Sequence, residues 1–479
     1  MDKVKVILSA ISEILPKETS HYGEFLKPRE LYIPPAHKKA LQLYSNIVVG
    51  ARGVGKSTWA SALADQQLRN IIGANISELE DTSVIIGYSE IPAPNSYPDS
   101  GTIKKLLKKK YQPHDMWKAV VFRWLSAEIN ISIPMDDWPT SISWVRDNPE
   151  SCAKILVNAN NEFRSKRKNG LILFDALDRL SDSWEEMDTI ARELLRLVLE
   201  LKAYSNIHAK VFLREDQLSR KITDFPDASK LLSTKTELDW EIYDLHGLLW
   251  QQLCNAPDKG GEILRKYYQE VVGIAPLKKD NYWVITDNIK RDIAKQRALF
   301  EKLAGPWMGK DKRKGVPYVW SVGHLADGLK RTSPRSFLAA IRKAADDSLN
   351  RPSDYPLHYE SIKKGVQSAS QIRVDEIAED YPWIKDLCKP LGNAAINVPA
   401  FFSNIEEIWK KEYSDGPGTI KSKKLPPQDL ESGWMGVKKE LIRLGIFEEM
   451  RDGRINMPDL FRVGFGLGRK GGVKPVAVE

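Results

Sequence analysis

The sequence predicts an α/β fold with a parallel sheet as its core, followed by a helical lid and a small winged-helix-like α+β domain. Three observations carry that expectation. A short apolar run, Ile47-Val48-Val49, leads through a glycine-rich turn into a helix start at Thr58-Trp59-Ala60-Ser61-Ala62-Leu63. Further apolar runs, Ser83-Val84-Ile85-Ile86-Gly87-Tyr88, Gly170-Leu171-Ile172-Leu173-Phe174 and Ala209-Lys210-Val211-Phe212-Leu213, are separated by helix-length stretches, the pattern of strand–helix–strand units. Beyond residue 240 the patterning turns helical, and near the end it becomes helices followed by a hairpin.

The first of these runs organises the chain. Gly50-Ala51-Arg52-Gly53-Val54-Gly55-Lys56-Ser57-Thr58 fits G-x-x-x-x-G-K-[ST], the phosphate-binding loop of P-loop NTPases. Glycines let backbone N–H groups turn inward around a phosphate without Cβ clashes, and the helix N-terminus behind them adds partial positive charge. A lysine in a first helical turn is normally disfavoured; a bound phosphate removes that penalty at Lys56. Ser57 would supply a hydroxyl to Mg²⁺. The expected ligands are therefore a nucleoside triphosphate and Mg²⁺, and the lack of an Asn-Lys-x-Asp guanine-reading motif favours ATP over GTP.

Bulk properties narrow the class. The chain has 479 residues, 42% of them hydrophobic and 28% charged, enough for two to four domains with real cores. No apolar run approaches the roughly 18 residues of a membrane span, and the start of the chain lacks a signal-peptide pattern. Cys152, Cys254 and Cys388 are far apart, which argues against a disulfide framework or zinc site and fits a reducing cytoplasm. The net charge of +8 is clustered, in Lys104–Tyr111 with its five lysines, Ser165-Lys166-Arg167-Lys168, Lys310-Asp311-Lys312-Arg313-Lys314, Lys421-Ser422-Lys423-Lys424 and Arg469-Lys470. Such clusters can neutralise nucleic-acid phosphates or simply be solvated loops.

In chain order, helical spacing marks residues 1–20, closed by Pro16, and a proline-containing irregular segment, 21–45, is expected to pack on the nucleotide fold. A loop at 91–101 follows the second strand, then a buried helix at 116–129 and polar, helix-prone sequence to 169. The third strand ends in Asp175-Ala176-Leu177-Asp178-Arg179-Leu180. An acid at the end of an apolar strand downstream of a P-loop helps hold Mg²⁺; Asp178, three residues on, can turn back to orient the attacking water. An amphipathic helix at 184–203 leads to the fourth strand, which ends in Arg214-Glu215-Asp216. Polar residues there face the ligand crevice, so Arg214 or Asp216 is a candidate γ-phosphate sensor. At Thr332-Ser333-Pro334-Arg335, Ser333 suits an N-cap and Pro334 a first helical residue. Arg335 then opposes the helix dipole, which makes sense if it meets an anion such as the γ-phosphate; the alternative is a solvated arginine or a local ion pair.

Helical candidates at 404–413 and 434–444 precede a hairpin around Arg451-Asp452-Gly453. Helices followed by a small hairpin suggest a winged helix, a module for DNA or for protein docking. Gly466-Leu467-Gly468-Arg469-Lys470-Gly471 matches G-x-G-x-x-G but has no strand–helix–strand unit after it, and reads as a flexible basic tail.

Together the P-loop and Asp175-Ala176-Leu177-Asp178-Arg179 resemble the KAP and STAND branches of P-loop ATPases, close to the AAA+ class. The Ser333-Pro334-Arg335 helix looks like a sensor-2 element, and a winged helix after the lid is similar to STAND proteins and origin-recognition initiators. The resemblance implies four segments: 1–44, a helix and linker; 45–250, an ATPase core with an insertion at about 91–168; 251–350, the lid; and 351–479, the winged-helix-like domain and tail. It implies Lys56, Asp175, Asp178, Arg214 and Arg335 as catalytic residues, Gly50 to Thr58 as the nucleotide loop, and Ser57 with Asp175 as Mg²⁺ ligands. Its first functional expectation is a cytoplasmic ATP-driven switch or motor in anti-phage defence or mobile-element biology, acting through a separate effector protein and able to form a homo-oligomer. Its alternatives are a DNA-binding ATPase of the initiator or transposition-regulator kind, with duplex DNA as partner, and a non-hydrolysing nucleotide-binding scaffold.

Overall fold

A computed structural model of the chain describes residues 3–17, 26–218, 221–420, 422, 424–470 and 472–475. Contacts divide it into two units. One comprises residues 21–28 and 33–239; the other comprises 1–20, 29–32 and 240–479.

The first unit is built on five parallel strands, β1 (Ile47–Val49), β2 (Thr82–Tyr88), β3 (Asn169–Phe174), β4 (Ile207–Leu213) and β5 (Thr236–Glu237), in the order β2-β3-β4-β1-β5. Parallel strands are covered on both faces, which is why β1 and β3 from Gly170 onward read as apolar runs, while β4 carries His208 and the buried Lys210 among its apolar residues. β5 has only two residues, neither of them apolar, so no sequence pattern marks it. The insertion forms the helices Ser100–Lys108, Pro113–Glu128, Trp138–Asp147 and Pro149–Ser165. Pro113–Glu128 is buried nearly all round and packs against the amphipathic helix Trp184–Leu201. Its Trp117 donates from Nε1 to the Ile190 carbonyl at 3.0 Å and meets Phe174 of β3 edge-on at 5.5 Å. In this way the insertion is anchored to the strand that ends in Asp175.

Two buried polar residues tie the segment before β1 to this unit. Lys210, on β4, donates from Nζ to the carbonyls of Ala40, Gln42 and Ser45. His37 bonds the Asp239 carbonyl through Nε2 at 2.9 Å and accepts from Trp59 Nε1 through Nδ1 at 3.2 Å. Burial holds the His37 pKa down at about 4, consistent with its neutral, accepting Nδ1. Residues 33–45 thus pack on the nucleotide fold as expected, whereas 29–32 belong to the second unit and 18–25 lie outside the described residues.

In the second unit the helix Lys3–Ile14 packs against Ile242–Leu253, Asp258–Val272 and Pro334–Ser348. The helix Ile242–Leu253 belongs to this unit, so the sheet unit ends at 239. An antiparallel hairpin, β6 (Leu277–Lys279) and β7 (Tyr282–Val284), interrupts the helical pattern expected of this stretch. The long helix Tyr359–Asp380 lies against Pro334–Ser348 so closely that a Cβ on Gly365 would come within 2.1 Å of the Ala340 carbonyl oxygen.

Residues 382–456 have winged-helix-like order: helix Pro382–Asn393, β8 (Ala400–Phe401), helices Phe402–Glu412 and Gly433–Arg443, then β9 (Glu448–Glu449) and β10 (Arg454–Asn456). The antiparallel sheet runs β8-β10-β9. Its core is aromatic. Trp409 stacks on Trp434 at 5.3 Å and on Phe447 at 6.2 Å, and donates to the Leu387 carbonyl at 2.8 Å.

The tail corrects an expectation. It is packed where described: Leu467 and Val473 are buried, Gly468 bridges to Asn397, and buried Arg462 donates to the Leu467 and Val473 carbonyls. Its lysines and arginines suggest a solvated end, but the apolar residues between them anchor it. Lys421 and Lys423 of the basic run at 421–424 lie outside the described residues. No helix among the described residues is long and apolar enough to cross a membrane.

Candidate functional site

The site lies in the first unit, at the carboxyl ends of β1 to β4. After Val49 the chain turns through Gly53 and Gly55, with φ of 80° and 101°, left-handed values that a side chain would strain. Gly50 is needed for space, since a Cβ there would stand 2.6 Å from Val54 Cγ2. The helix Lys56–Ala64 starts directly behind the loop, with Ser57 and Thr58 in its first turn. Lys56 Nζ folds over the loop and donates to the Gly50 and Ala51 carbonyls at 2.8 and 2.9 Å. Burial, then the neighbouring Arg214 guanidinium, pulls its pKa down to about 8 against the pull of Asp178, Asp175 and Asp216.

β3 delivers Asp175 beside this loop. Its backbone N–H donates to the Tyr88 carbonyl at 2.9 Å, and its buried carboxylate accepts from the Ser57 hydroxyl. Burial raises the Asp175 pKa, and the Ser57 hydrogen bond and Lys56 oppose that rise. A hydroxyl and a carboxylate held together form a hard-oxygen pair suited to Mg²⁺, next to a loop shaped to accept a phosphate. The residues present fit both groups.

Ala176, at φ 58°, then turns the chain sharply into a 3-10 turn, Leu177–Arg179. That turn sets Asp178 3.3 Å from Arg214 Nη1, while Arg214 Nε stands 3.0 Å from Asp216. Sequence leaves open whether Arg214 or Asp216 faces the site; the structure joins them in one cluster with Asp178. Strand order explains the meeting, because β4 lies between β3 and β1 and its carboxyl end falls between the acidic turn and the loop.

Sequence reasoning missed Glu90 and the role of Arg179. Glu90 follows β2 by two residues, and its carboxylate is paired with Arg179. Burial lifts its pKa to about 7; Arg179 and Arg52 pull it down, and Asp178 and Asp175 push it up. Its position just past the end of β2 is visible in the sequence, but its place beside the acidic turn comes from the pairing of β2 with β3.

Arg335 belongs to the second unit. Ser333 Oγ accepts from the Ser336 N–H at 3.1 Å, and Pro334 opens the helix, as expected from the sequence. The anion Arg335 meets is Glu376, 2.7 Å from its Nη1.

Fold and loop define the class: an α/β protein with a P-loop parallel sheet. No protein-family model matches the chain, and no curated protein matches it significantly. Among solved structures it is similar to the Aeropyrum pernix ORC2 protein in its ADPNP-ADP complexes, with 14% identity and a TM-score of 0.42 over 92% of this chain and 95% of that one. It is similar also to the Aeropyrum pernix ORC1 protein in complex with DNA, with 12% identity and a TM-score of 0.36 over 93% of each chain. A third is Drosophila ORC bound to DNA, with 9% identity and a TM-score of 0.32 over 95% of this chain and 90% of that one.

Proposed function

We propose that this chain is an ATPase of the initiator-like or transposition-regulator-like kind, which binds ATP with Mg²⁺ in the first unit and duplex DNA through its winged-helix-like domain. The observation that carries the ATPase reading is the grouping of Lys56, Ser57 and Asp175 around a loop that turns through left-handed Gly53 and Gly55. Gly50, Ala51, Arg52, Gly53, Val54 and Gly55 would cradle the phosphates, Lys56 would neutralise them, Thr58 would complete the first turn, and Ser57 with Asp175 would hold the cation. Arg214, braced by Asp178 and Asp216, would sense the γ-phosphate. Arg335, paired with Glu376, would remain a candidate for coupling nucleotide state to the helical segment.

The DNA reading is preferred to a defence switch because of the C-terminal domain. The helix Gly433–Arg443 presents Lys439 to solvent, and the β9–β10 turn presents Arg451. A helix and a hairpin tip that both offer cations fit two stretches of a phosphate backbone.

Phosphate release from ATP and Mg²⁺ at low salt, with and without duplex DNA, tests the reading in wild type and Lys56→Ala. Turnover that DNA stimulates and Lys56→Ala abolishes is expected. Turnover indifferent to DNA would restore the effector-coupled switch, and tight ATP binding without turnover would leave a scaffold.

A further inference from the structure

Four carboxylates converge at the carboxyl edge of the sheet, and three have evident roles. Asp175 accepts from Ser57, the proposed cation-holding pair. Asp178 and Asp216 both brace Arg214, at 3.3 and 3.0 Å. The fourth is Glu90. Pairing of β2 with β3, closed by the Asp175 N–H to Tyr88 carbonyl bond, fixes the β2 end beside the acidic turn. Glu90 therefore feels the charges of Asp175, Asp178 and, in the P-loop, Arg52. Its side chain is 24% exposed, so water reaches it. Arg179 holds it, and the sharp left-handed bend at Ala176 aims Arg179 back toward β2.

We infer that Glu90, rather than Asp178, is the catalytic residue that holds and deprotonates the attacking water, with Arg179 as its positioning residue. The inference rests on the ATPase reading above. In the step, Glu90 takes one proton from water as the water oxygen bonds to the γ-phosphorus. The bond from that phosphorus to the β–γ bridging oxygen breaks, its electron pair leaves with ADP, and the proton passes from Glu90 to solvent. Asp178 then serves differently, by keeping Arg214 turned to the site.

Single-turnover phosphate release and the affinity for a fluorescent ATP analogue would be measured for wild type, Glu90→Gln, Glu90→Asp, Asp178→Asn, Arg179→Ala and Arg179→Lys. Glu90→Gln should bind the analogue about as tightly as wild type yet release phosphate about 100-fold more slowly, the lower range of general-base effects. Glu90→Asp, shorter by one methylene, should be slowed by roughly tenfold or more. Arg179→Ala should slow the step and Arg179→Lys restore most of it, which a merely structural arginine would not predict. A Glu90→Gln rate close to that of wild type overturns the inference, and an inactive Asp178→Asn beside it returns the water to Asp178. Failure of the underlying reading looks different: wild type would release no more phosphate than Lys56→Ala.

Discussion

Arg214 Nη1 stands 3.3 Å from the Asp178 carboxylate, an ion pair that runs from the end of β4 to the turn after β3. It is one half of a clamp, since Asp216 holds Nε of the same guanidinium. A cation fixed on both sides beside the P-loop is preorganised for charge that develops on a transferred phosphoryl group. Arg214→Ala should therefore lower the rate of phosphate release by about 100-fold, in the range found for removing one such donor. Because Arg214 also depresses the Lys56 pKa, the variant should hold Lys56 protonated to higher pH. Single-turnover kinetics and analogue binding between about pH 7 and 9.5 check both consequences.

Lys56 itself gives a pH signature. Its pKa of about 8 means that the free protein loses this cation as pH rises through 8. A bound polyanion favours the protonated form, so above that pH binding must draw a proton from solvent. Affinity for the ATP analogue should be flat below about pH 7.5 and fall toward about tenfold per unit above about pH 8.5. Lys56→Ala should bind weakly with no such dependence, and fluorescence titrations across that range would show the difference.

What the sequence revealed and concealed follows from how local each signal is. The P-loop is contiguous, and its glycines and Lys56 occupy the places their spacing implies. Asp175 was legible because β3 is an unbroken apolar run ending in an acid. Glu90 was not, because its significance comes from β2 lying beside β3, a register that no local pattern records. β5 was invisible for a related reason: Thr236 and Glu237 form a strand only because β1 offers an edge. The packed tail shows the converse: Leu467 is buried, and the backbone around it is held by the Gly468–Asn397 bridge and by the Arg462 guanidinium, contacts that the basic composition of the tail does not announce.

Arg335 is 57% exposed and paired with Glu376. An exposed pair of this kind contributes about 0–1 kcal/mol. Arg335→Ala should accordingly leave the thermal midpoint almost unchanged, while its proposed coupling role predicts slower ATP turnover. Equal stability with slower turnover supports that role; unchanged turnover makes the Glu376 pair its whole function.

Lys210 predicts the opposite balance, with stability at stake and nucleotide binding spared. It is fully buried on β4 and donates to three carbonyls. Lys210→Met would leave those carbonyls without their donor, a loss of about 3 kcal/mol or more. Burial lowers the folded-state pKa to about 7 from an ordinary 10.5, so between those values the unfolded chain binds more protons than the folded one. Wild-type stability should thus rise with pH across that window relative to Lys210→Met. Urea titrations near the two ends of the window, at about pH 7 and about pH 9.5, would test the sign.

The DNA reading makes a prediction about the salt dependence of binding at one face. Lys439 is exposed on the helix Gly433–Arg443, and Arg451 is exposed at the β9–β10 turn. Removing one phosphate-neutralising cation lowers the slope of log affinity against log salt by about 0.9. If both side chains touch phosphate, the Lys439→Ala and Arg451→Ala double variant should reduce that slope by about 2 and weaken binding across duplex sequences alike. Neither residue contributes to the aromatic core of Trp409, Trp434 and Phe447, so the domain should remain folded. Anisotropy titrations from about 50 to about 300 mM salt read both quantities. An unchanged slope would move DNA off this face, while a reduced slope with intact basal phosphate release would place DNA binding and the P-loop chemistry in separable parts of one chain.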